Sequence, residues 1–414
     1  MKIYLILLIL IYSTTSLASV ERTSVEYEEK PLIKASVNAA TKYMYNIFYD
    51  HNRAITDLAS HISPEIHGTT KPKTIYFKGS AGGFYEKYLA YSIQDHFDYN
   101  GAGSMVINED GGVSCRVDGN YKSHSDPAAN EDYKRINRTN YGASFNMLIK
   151  SESKKSVEIK TRYSAENFNN PNLTGPLSSY LSNNTIDGVV QYNNAFLPET
   201  IWFMRASGGM TQYTTGAFEL DPNNISAEPK NNNFFGTTET GFLGRLTERS
   251  SVDCAVGFHF RSYQTSGSGF ASPLFYLRFT EQVTRRDQMI AGYNYIVNNA
   301  YWSDYVLDQE IYIGLARVMG DQVLLLSRLS YLYKSYSLPV RRDDERIATA
   351  FSLRYSINSQ IKLTADVKVD LLSSDVYNNQ NSGRTNLNGV RVYAPDRPAS
   401  YKNGTLGLGI IANY

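Results

Sequence analysis

The chain has 414 residues, a formal net charge of +1 and a mean hydropathy of −0.37. The balanced charge gives no reason to expect nucleic acid or an acidic polymer as a general partner. The 33 tyrosines and 18 phenylalanines are a heavy aromatic load. The negative hydropathy does not exclude a membrane protein, because the wall of a transmembrane β-barrel needs only alternate residues to be apolar.

Residues 1–18 are typical of an export signal peptide. Lys2 supplies a positive start, residues 3–12 are apolar, and Ser16-Leu17-Ala18 is a small-x-small cleavage site. The apolar run is shorter than the ~20 residues of a transmembrane helix, and an uncleaved anchor is the alternative. We expect residues 19–32 to be a short periplasmic segment and residues 33–414 to form one outer-membrane β-barrel.

From residue 33 onward, segments of the chain alternate apolar and polar side chains, which is the period of a β-strand. The alternation predicts an all-β, transmembrane, antiparallel up-and-down barrel of about eighteen strands, or about sixteen as the fallback. A soluble sheet is the alternative, but it does not account for so many such strands in succession. The predicted strands lie near 33–49, 54–68, 73–87, 93–107, 112–123, 137–150, 155–166, 185–196, 200–213, 235–247, 250–263, 272–284, 288–299, 307–318, 322–335, 345–357, 360–373 and 404–414.

The connections between these strands alternate between short and long. Every second one is short and rich in turn residues, and the intervening ones are mostly longer: 124–136, 167–184, 214–234, 264–271, 336–344 and 374–403. Membrane barrels have short periplasmic turns and long outer loops, so the loop 374–403 is expected outside. Loops 214–234 and 374–403 are expected to fold inward as a constriction, to form a recognition surface, or to be plain flexible loops.

Parity along each strand assigns side chains to the lipid or to the lumen. The lipid-facing sets include Val252, Cys254, Val256, Phe258, Phe260, Phe275, Leu277, Phe279, Leu325, Leu329, Tyr331, Tyr333, Phe351, Leu353, Tyr355 and Ile357. The lumen-lining candidates are Arg116, Asp118, Glu158, Lys160, Arg162, Glu239, Arg245, Asp253, His259, Arg261, Arg278, Arg328, Arg354, Lys362, Asp366, Lys368 and Asp370.

The two cysteines, Cys115 and Cys254, both fall on the apolar face. They lie about six strands apart, too far for a disulfide. We expect both to be small lipid-facing or buried hydrophobes.

A barrel of about eighteen strands is too wide for side chains to fill, so an aqueous channel is expected unless a loop plugs it. Arg and Lys outnumber Asp and Glu among the candidates, which favours anionic or uncharged polyhydroxylated solutes. The alternative is that these charges simply satisfy one another across the bore.

The sequence gives little support for catalysis, for a metal or for a cofactor. Asp253 and His259 share a face but stand ~20 Å apart along one strand, too far for an acid–base pair. The pair His61 and His67 does not have zinc-site spacing. A hydrolase site at the outer rim, assembled from neighbouring strands, is the remaining catalytic alternative.

Several segments resemble the second β-barrel porin family (type 2) of Gram-negative outer membranes. These are Tyr45-Asn46-Ile47-Phe48, Asp57, Ser63-Pro64-Glu65-Ile66, the glycine-spaced return 78–85, and two later segments, 247–251 and 279–286. Glu65 stands where the family usually has Gly. The resemblance implies an outer-membrane barrel linked in some members to exopolysaccharide export, and it defines no catalytic or ligand residue.

The chain ends on Tyr414, which is a candidate assembly signal for the barrel-assembly machinery. We expect this end to close the barrel against the strand around Tyr43 and Tyr45. The expected partners are outer-membrane lipid, the assembly machinery and periplasmic polysaccharide-export components. The predicted function is a pore that exports polysaccharide or passes small hydrophilic solutes. The alternative is a surface receptor or adhesin that displays its long loops.

Overall fold

The computed structural model describes residues 33–45, 55–70, 74–126, 136–151, 154–169, 182–197, 199–213, 232–264, 269–299, 305–337, 342–376 and 401–413. The predicted signal peptide (1–18), the predicted periplasmic segment (19–32), Tyr414 and most of loops 214–234 and 374–403 lie outside these residues. Across the described ranges, no helix is long and apolar enough to cross a bilayer.

The chain folds into one 18-stranded antiparallel sheet, and pairing of the first strand with the last closes it into a barrel. The strands are β1 (Ile33–Tyr45), β2 (Asp57–Thr69), β3 (Ile75–Tyr88), β4 (His96–Ile107), β5 (Val113–Asp126), β6 (Ile136–Lys150), β7 (Lys155–Asn169), β8 (Asn183–Leu197), β9 (Thr200–Tyr213), β10 (Asn233–Arg245), β11 (Ser250–Tyr263), β12 (Gly269–Gln282), β13 (Asp287–Asn299), β14 (Tyr305–Met319), β15 (Val323–Tyr336), β16 (Arg342–Ser356), β17 (Ile361–Val376) and β18 (Tyr401–Asn413). The predicted fold class and strand number are confirmed.

The strand ends put short turns at one end of the barrel and the longest connections at the other. The short-turn end has 70–74, 108–112, 151–154, 198–199, 246–249, 283–286, 320–322 and 357–360, and the opposite end has 46–56, 89–95, 127–135, 170–182, 214–232 and 377–400. The prediction of long loops at 264–271 and 336–344 is wrong, because β12 already begins at Gly269 and β16 at Arg342.

The seam between β1 and β18 closes the barrel. Asn413 pairs with Ser36, whereas Tyr43 and Tyr45 pair with Leu406 and Gly404. The expectation that the last strand closes the barrel against the strand around Tyr43 and Tyr45 is confirmed, although the last described residue lies beside Ser36 and not beside the two tyrosines. Because the two strands run antiparallel, the end of β18 meets the beginning of β1.

Two turns at the short-turn end are held by threonine hydroxyls. Thr247 Oγ1 accepts from the backbone amides of Arg249 (3.2 Å) and Ser250 (3.0 Å). Thr284 Oγ1 accepts from the amides of Arg286 and Asp287, both at 3.1 Å. The two threonines lie in the segments 247–251 and 279–286, so these positions have a structural role in the turns.

Replacing Thr284 with alanine is expected to lower the free energy of unfolding by roughly 1 kcal/mol, because two turn amides lose their acceptor. Urea-induced unfolding in detergent micelles, followed by tryptophan fluorescence, measures the change. Thr284→Ser keeps the hydroxyl and should behave like the wild type. An equal loss in both variants would contradict the role given to the hydroxyl.

Candidate functional site: the interior wall of the barrel

The pairing register assigns every side chain in the wall to one of two faces, because directly paired residues of an antiparallel sheet share a face. One face carries large apolar side chains with high exposure, such as Phe258 (65%) and Leu408 (63%). Such a face suits lipid, so the other face lines the interior. The register places all the lumen-lining candidates on this interior face, as in the succession Glu158, Gln191, Arg205 and Glu239 on neighbouring strands.

The outer face also holds both cysteines. Cys115 is paired with Ile107 and Met147, and Cys254 with Phe242 and Leu277. Both are free thiols.

Ion pairs join most of the interior charges. They are Lys42–Glu86 (3.2 Å), Arg116–Asp118 (2.7 Å), Arg138–Glu166 (2.8 Å), Arg162–Asp187 (2.8 Å), Arg205–Glu239 (2.7 Å), Arg278–Asp253 (2.8 Å), Arg328–Glu310 (2.9 Å), Lys334–Asp308 (2.7 Å) and Arg346–Asp370. Much of the cationic excess predicted for the lumen is therefore neutralised by nearby carboxylates. The paired charges lie on the same or nearby strands, so they do not satisfy one another across the bore.

These pairs lie along the wall. Arg205 and Glu239 are direct register partners on β9 and β10, and Arg278 and Asp253 are direct partners on β11 and β12. Lys42 on β1 reaches across β2 to Glu86 on β3, above the fully buried Ala59. Because both members of each pair belong to the same or nearby strands, the pairing draws the long side chains toward the wall and away from the centre of the bore.

Packing also holds Arg328 against the wall. The register partner of Tyr312 is Gly292, and a Cβ atom at Gly292 would overlap the tyrosine ring. The ring therefore lies across the glycine. The guanidinium of Arg328 lies 4.1 Å from the ring centroid and donates to Glu310 at 2.9 Å, which forms a cation–π and ion-pair layer on the interior face.

A subset of the interior cations has no such partner. Lys160, Arg354, Lys362 and Lys368 form no ion pair with any residue that the structure describes. Three of them lie on the adjacent strands β16 and β17. Glu158 accepts a hydrogen bond from the Asn146 amide at 2.7 Å, and Arg245 pairs with Glu199 at the short-turn end, 2.9 Å away. Three of these cations thus lie together on β16 and β17, where Asp366 is the one interior carboxylate on β17 without an ion pair among the described residues, and we name this net-positive group the basic sector.

Asp57 has a role that the sequence did not reveal. Its carboxylate accepts from the amides of Leu58 (2.7 Å), Ala90 (3.1 Å) and Tyr91 (3.0 Å). It therefore fixes the start of the connection between β3 and β4 next to a short 3₁₀ helix, Ser92–Gln94. Asp57 is thus an anchor for a connection at the end opposite the short turns.

The residues considered for catalysis have separate partners. Asp253 accepts from Arg278, and His259 Nδ1 lies 3.1 Å from the Thr237 hydroxyl. Within the described part of the chain, no group of three or more His, Cys, Asp or Glu side chains is placed to hold a metal ion.

An 18-stranded closed barrel with an apolar outer face and a charged interior defines the class of bacterial outer-membrane β-barrel proteins. The structure is similar to the outer membrane protein OpdK from Pseudomonas aeruginosa, with a TM-score of 0.52 and 8% identity over 92% of this chain and 99% of that one. Two further similar structures are OpdO from Pseudomonas aeruginosa (TM-score 0.49, 10% identity, covering 92% and 97%) and OccAB2 from Acinetobacter baumannii (TM-score 0.47, 9% identity, covering 92% and 98%).

No family model matches the chain, and no curated protein matches it. At such low identity, the likeness to OpdK shows the porin-like fold alone. The resemblance of the sequence to the type 2 family stays a prediction.

Proposed function

We propose that the barrel is a non-enzymatic channel that passes hydrophilic solutes along its axis. The observation that carries the proposal is the set of ion pairs along the interior wall, which satisfies the charges without filling the bore. Side chains do not fill the interior of a barrel this wide, so a polar wall of this kind surrounds water.

The basic sector on β16 and β17 favours anionic solutes. Arg354, Lys362 and Lys368 lie on the interior face and have no ion-pair partner among the described residues. Unpaired charges in a pore wall raise the local concentration of counter-ions and so bias the current.

The variant Arg354→Gln/Lys362→Gln/Lys368→Gln is expected to lose much of this anion preference. The measurement is the reversal potential of the purified protein in a planar bilayer under a KCl gradient. We expect the wild type to be anion-selective and the variant to shift toward equal permeability. Lys87→Gln is the matched control, because Lys87 is exposed and its register partner Ser60 lies on the outer face. A wild type without anion preference, or an equal shift in the control, would contradict the assignment.

Polysaccharide export is a narrower form of the same proposal, and its support is the resemblance of residues 45–85 and the two later segments to the type 2 porin family. In that case periplasmic export components are partners of the short-turn end. Deleting the gene should then abolish capsule or slime without altering the uptake of small solutes. Reduced solute uptake with normal capsule would favour the diffusion channel.

A surface receptor or adhesin is the alternative from a different class, and it depends on loops 214–234 and 374–403. Shortening loop 374–403 should then abolish cell or phage attachment while the barrel keeps its heat-modifiable migration on a gel. The channel proposal predicts unchanged attachment.

A further inference from the structure

The hydrogen-bonded ladder between β12 and β13 stops about halfway along these strands. It runs from Gln282–Gln288 to Phe275–Tyr295 and goes no further. On either side the ladders continue, since β11 pairs with β12 as far as Ser262–Gly269 and β13 pairs with β14 as far as Asn299–Tyr305. Residues 269–274 and 296–299 therefore border an interruption in the barrel wall, which we name the β12–β13 seam.

The sequence explains where the seam begins. Pro273 lies within β12 and has no backbone N–H to donate, so a proline is tolerated in a strand only where one side of the strand is unpaired. Pro64 in β2 makes the contrast, because the β2–β3 ladder is paired at Ile62–Tyr85 on one side of it and at Glu65–Gly82 on the other. The proline in β12 ends a ladder, whereas the one in β2 only interrupts one.

The seam lies at the level of lipid-facing residues. Pro273 is paired with Phe258 and Ala271 with Phe260. These phenylalanines are 65% and 53% exposed on the outer face. Since β12 begins at the end with the long connections, the seam lies in the outer half of the apolar band.

The interior wall next to the seam carries a group of aromatic side chains. His259 is the register partner of Ser272 on β12, and its ring lies 6.5 Å from that of Phe235 and 6.0 Å from that of Phe270. The Phe270 ring in turn stacks on Tyr305 at 3.8 Å. The register puts Tyr305 on the outer face at the start of β14, so this ring pair bridges β12 and β14 at the outer end of the seam. We name Phe235, His259, Phe270 and Tyr305 the aromatic patch.

The patch also carries polar groups suited to an acidic headgroup. The guanidinium of Arg261 lies 5.6 Å from the centroid of Phe235. His259 Nδ1 forms a hydrogen bond with the Thr237 hydroxyl, and its buried Nε2 has no hydrogen-bond partner among the described residues. A cation and a ring nitrogen thus lie beside an apolar surface, which is the arrangement that recognises an amphiphile with one acidic group.

We infer that the β12–β13 seam and the aromatic patch form a lateral site through which a long-chain carboxylate moves between the lumen and the outer leaflet. The seam gives access to lipid, the aromatic rings contact the chain, and Arg261 with His259 binds the carboxylate. This route is separate from the axial channel and does not depend on it.

The first test is uptake of radiolabelled oleate by host cells that lack their own fatty-acid channel, with planar-bilayer conductance measured in parallel. Wild-type protein is expected to support uptake above the empty-vector level. Pro273→Val supplies the missing N–H and a β-branched side chain, which lets the ladder extend, so uptake should fall to the empty-vector level at unchanged conductance. Pro64→Val should leave both quantities unchanged, because pairing already exists on both sides of that position.

The second test closes the seam covalently in a Cys115→Ala/Cys254→Ala background. Leu274→Cys/Ile296→Cys places thiols at the first positions beyond the last paired residues, Phe275 and Tyr295. Oxidation should abolish oleate uptake and a reductant should restore it. The control pair Leu277→Cys/Tyr293→Cys joins the same strands within the intact ladder and should not respond to oxidant.

Three results would overturn the proposal. The first is wild-type uptake equal to that of the empty vector. The second is full uptake both by Pro273→Val and by oxidised Leu274→Cys/Ile296→Cys, with the disulfide of the latter verified by its gel shift. The third is a parallel fall of conductance and uptake, because oleate would then be using the axial channel.

Discussion

A Gly257→Val variant is expected to lose ~3 kcal/mol of folding free energy, and the barrel to assemble poorly, because the new side chain overpacks the wall. Gly257 faces the interior on β11, opposite Glu239 of β10. A Cβ atom there would overlap the backbone carbonyl of Thr238 and the backbone of Glu239. Backbone atoms cannot move aside as a flexible side chain can, so the β10–β11 ladder must distort. The Arg205–Glu239 ion pair, 2.7 Å long, lies on the same side of β10.

The measurement is urea-induced unfolding of the refolded protein in lipid vesicles, together with heat-modifiable migration on a gel. Gly407→Val is the matched control, because Gly407 also lies on the interior face and the nearest atom to its added Cβ would be Lys42 Cγ at 3.4 Å. The control should keep near-wild-type stability. Equal losses in the two variants would show that the close approach at Gly257 is not the cause.

Replacing Lys334 with methionine is expected to destabilise the barrel by ~3–5 kcal/mol, because it leaves a buried carboxylate without its cation. Lys334 Nζ lies 2.7 Å from Asp308, and the two side chains are only 9% and 5% exposed. The register partner of Lys334 on β16 is Asp344, which is fully buried. Without the lysine, two acidic side chains would face the same buried space.

The same urea unfolding assay measures this loss. The double variant Lys334→Met/Asp308→Asn should recover part of it, since the asparagine carries no charge. Lys362→Met is the control, because Lys362 lies on the interior face without an ion pair among the described residues. If Lys334→Met were as stable as Lys362→Met, the buried pair would not be structural.

Alternation in the sequence was sufficient to predict the barrel. Residues 361–371 alternate strictly, and the structure places them in β17 with one set toward lipid and the other toward the interior. The face assigned to a side chain depends only on its odd or even position within the strand. The assignment therefore stays correct when a predicted strand end is wrong by two or three residues. Connection lengths depend on those ends, which is why the loops 264–271 and 336–344 were predicted too long.

The ion pairs between strands could not be predicted, because they depend on the register in which neighbouring strands pair. Lys42 and Glu86 are joined across a third strand, and no local pattern relates them. Arg205, Asp187 and Glu310 lie on the interior face, and the alternation of their strands in the sequence already indicates this. The β12–β13 seam also had a signal in Pro273, but the proline alone does not distinguish a lost ladder from a brief interruption such as the one at Pro64.

Single-channel conductance of the purified protein in a planar lipid bilayer shows whether the barrel is an open channel. An 18-stranded barrel whose interior charges are mostly paired along the wall predicts discrete current steps in KCl. The unpaired cations on β16 and β17 predict that these steps carry more anions than cations. If correctly folded protein, verified by its heat-modifiable migration, gave no current steps of any size, the barrel would not be an open channel.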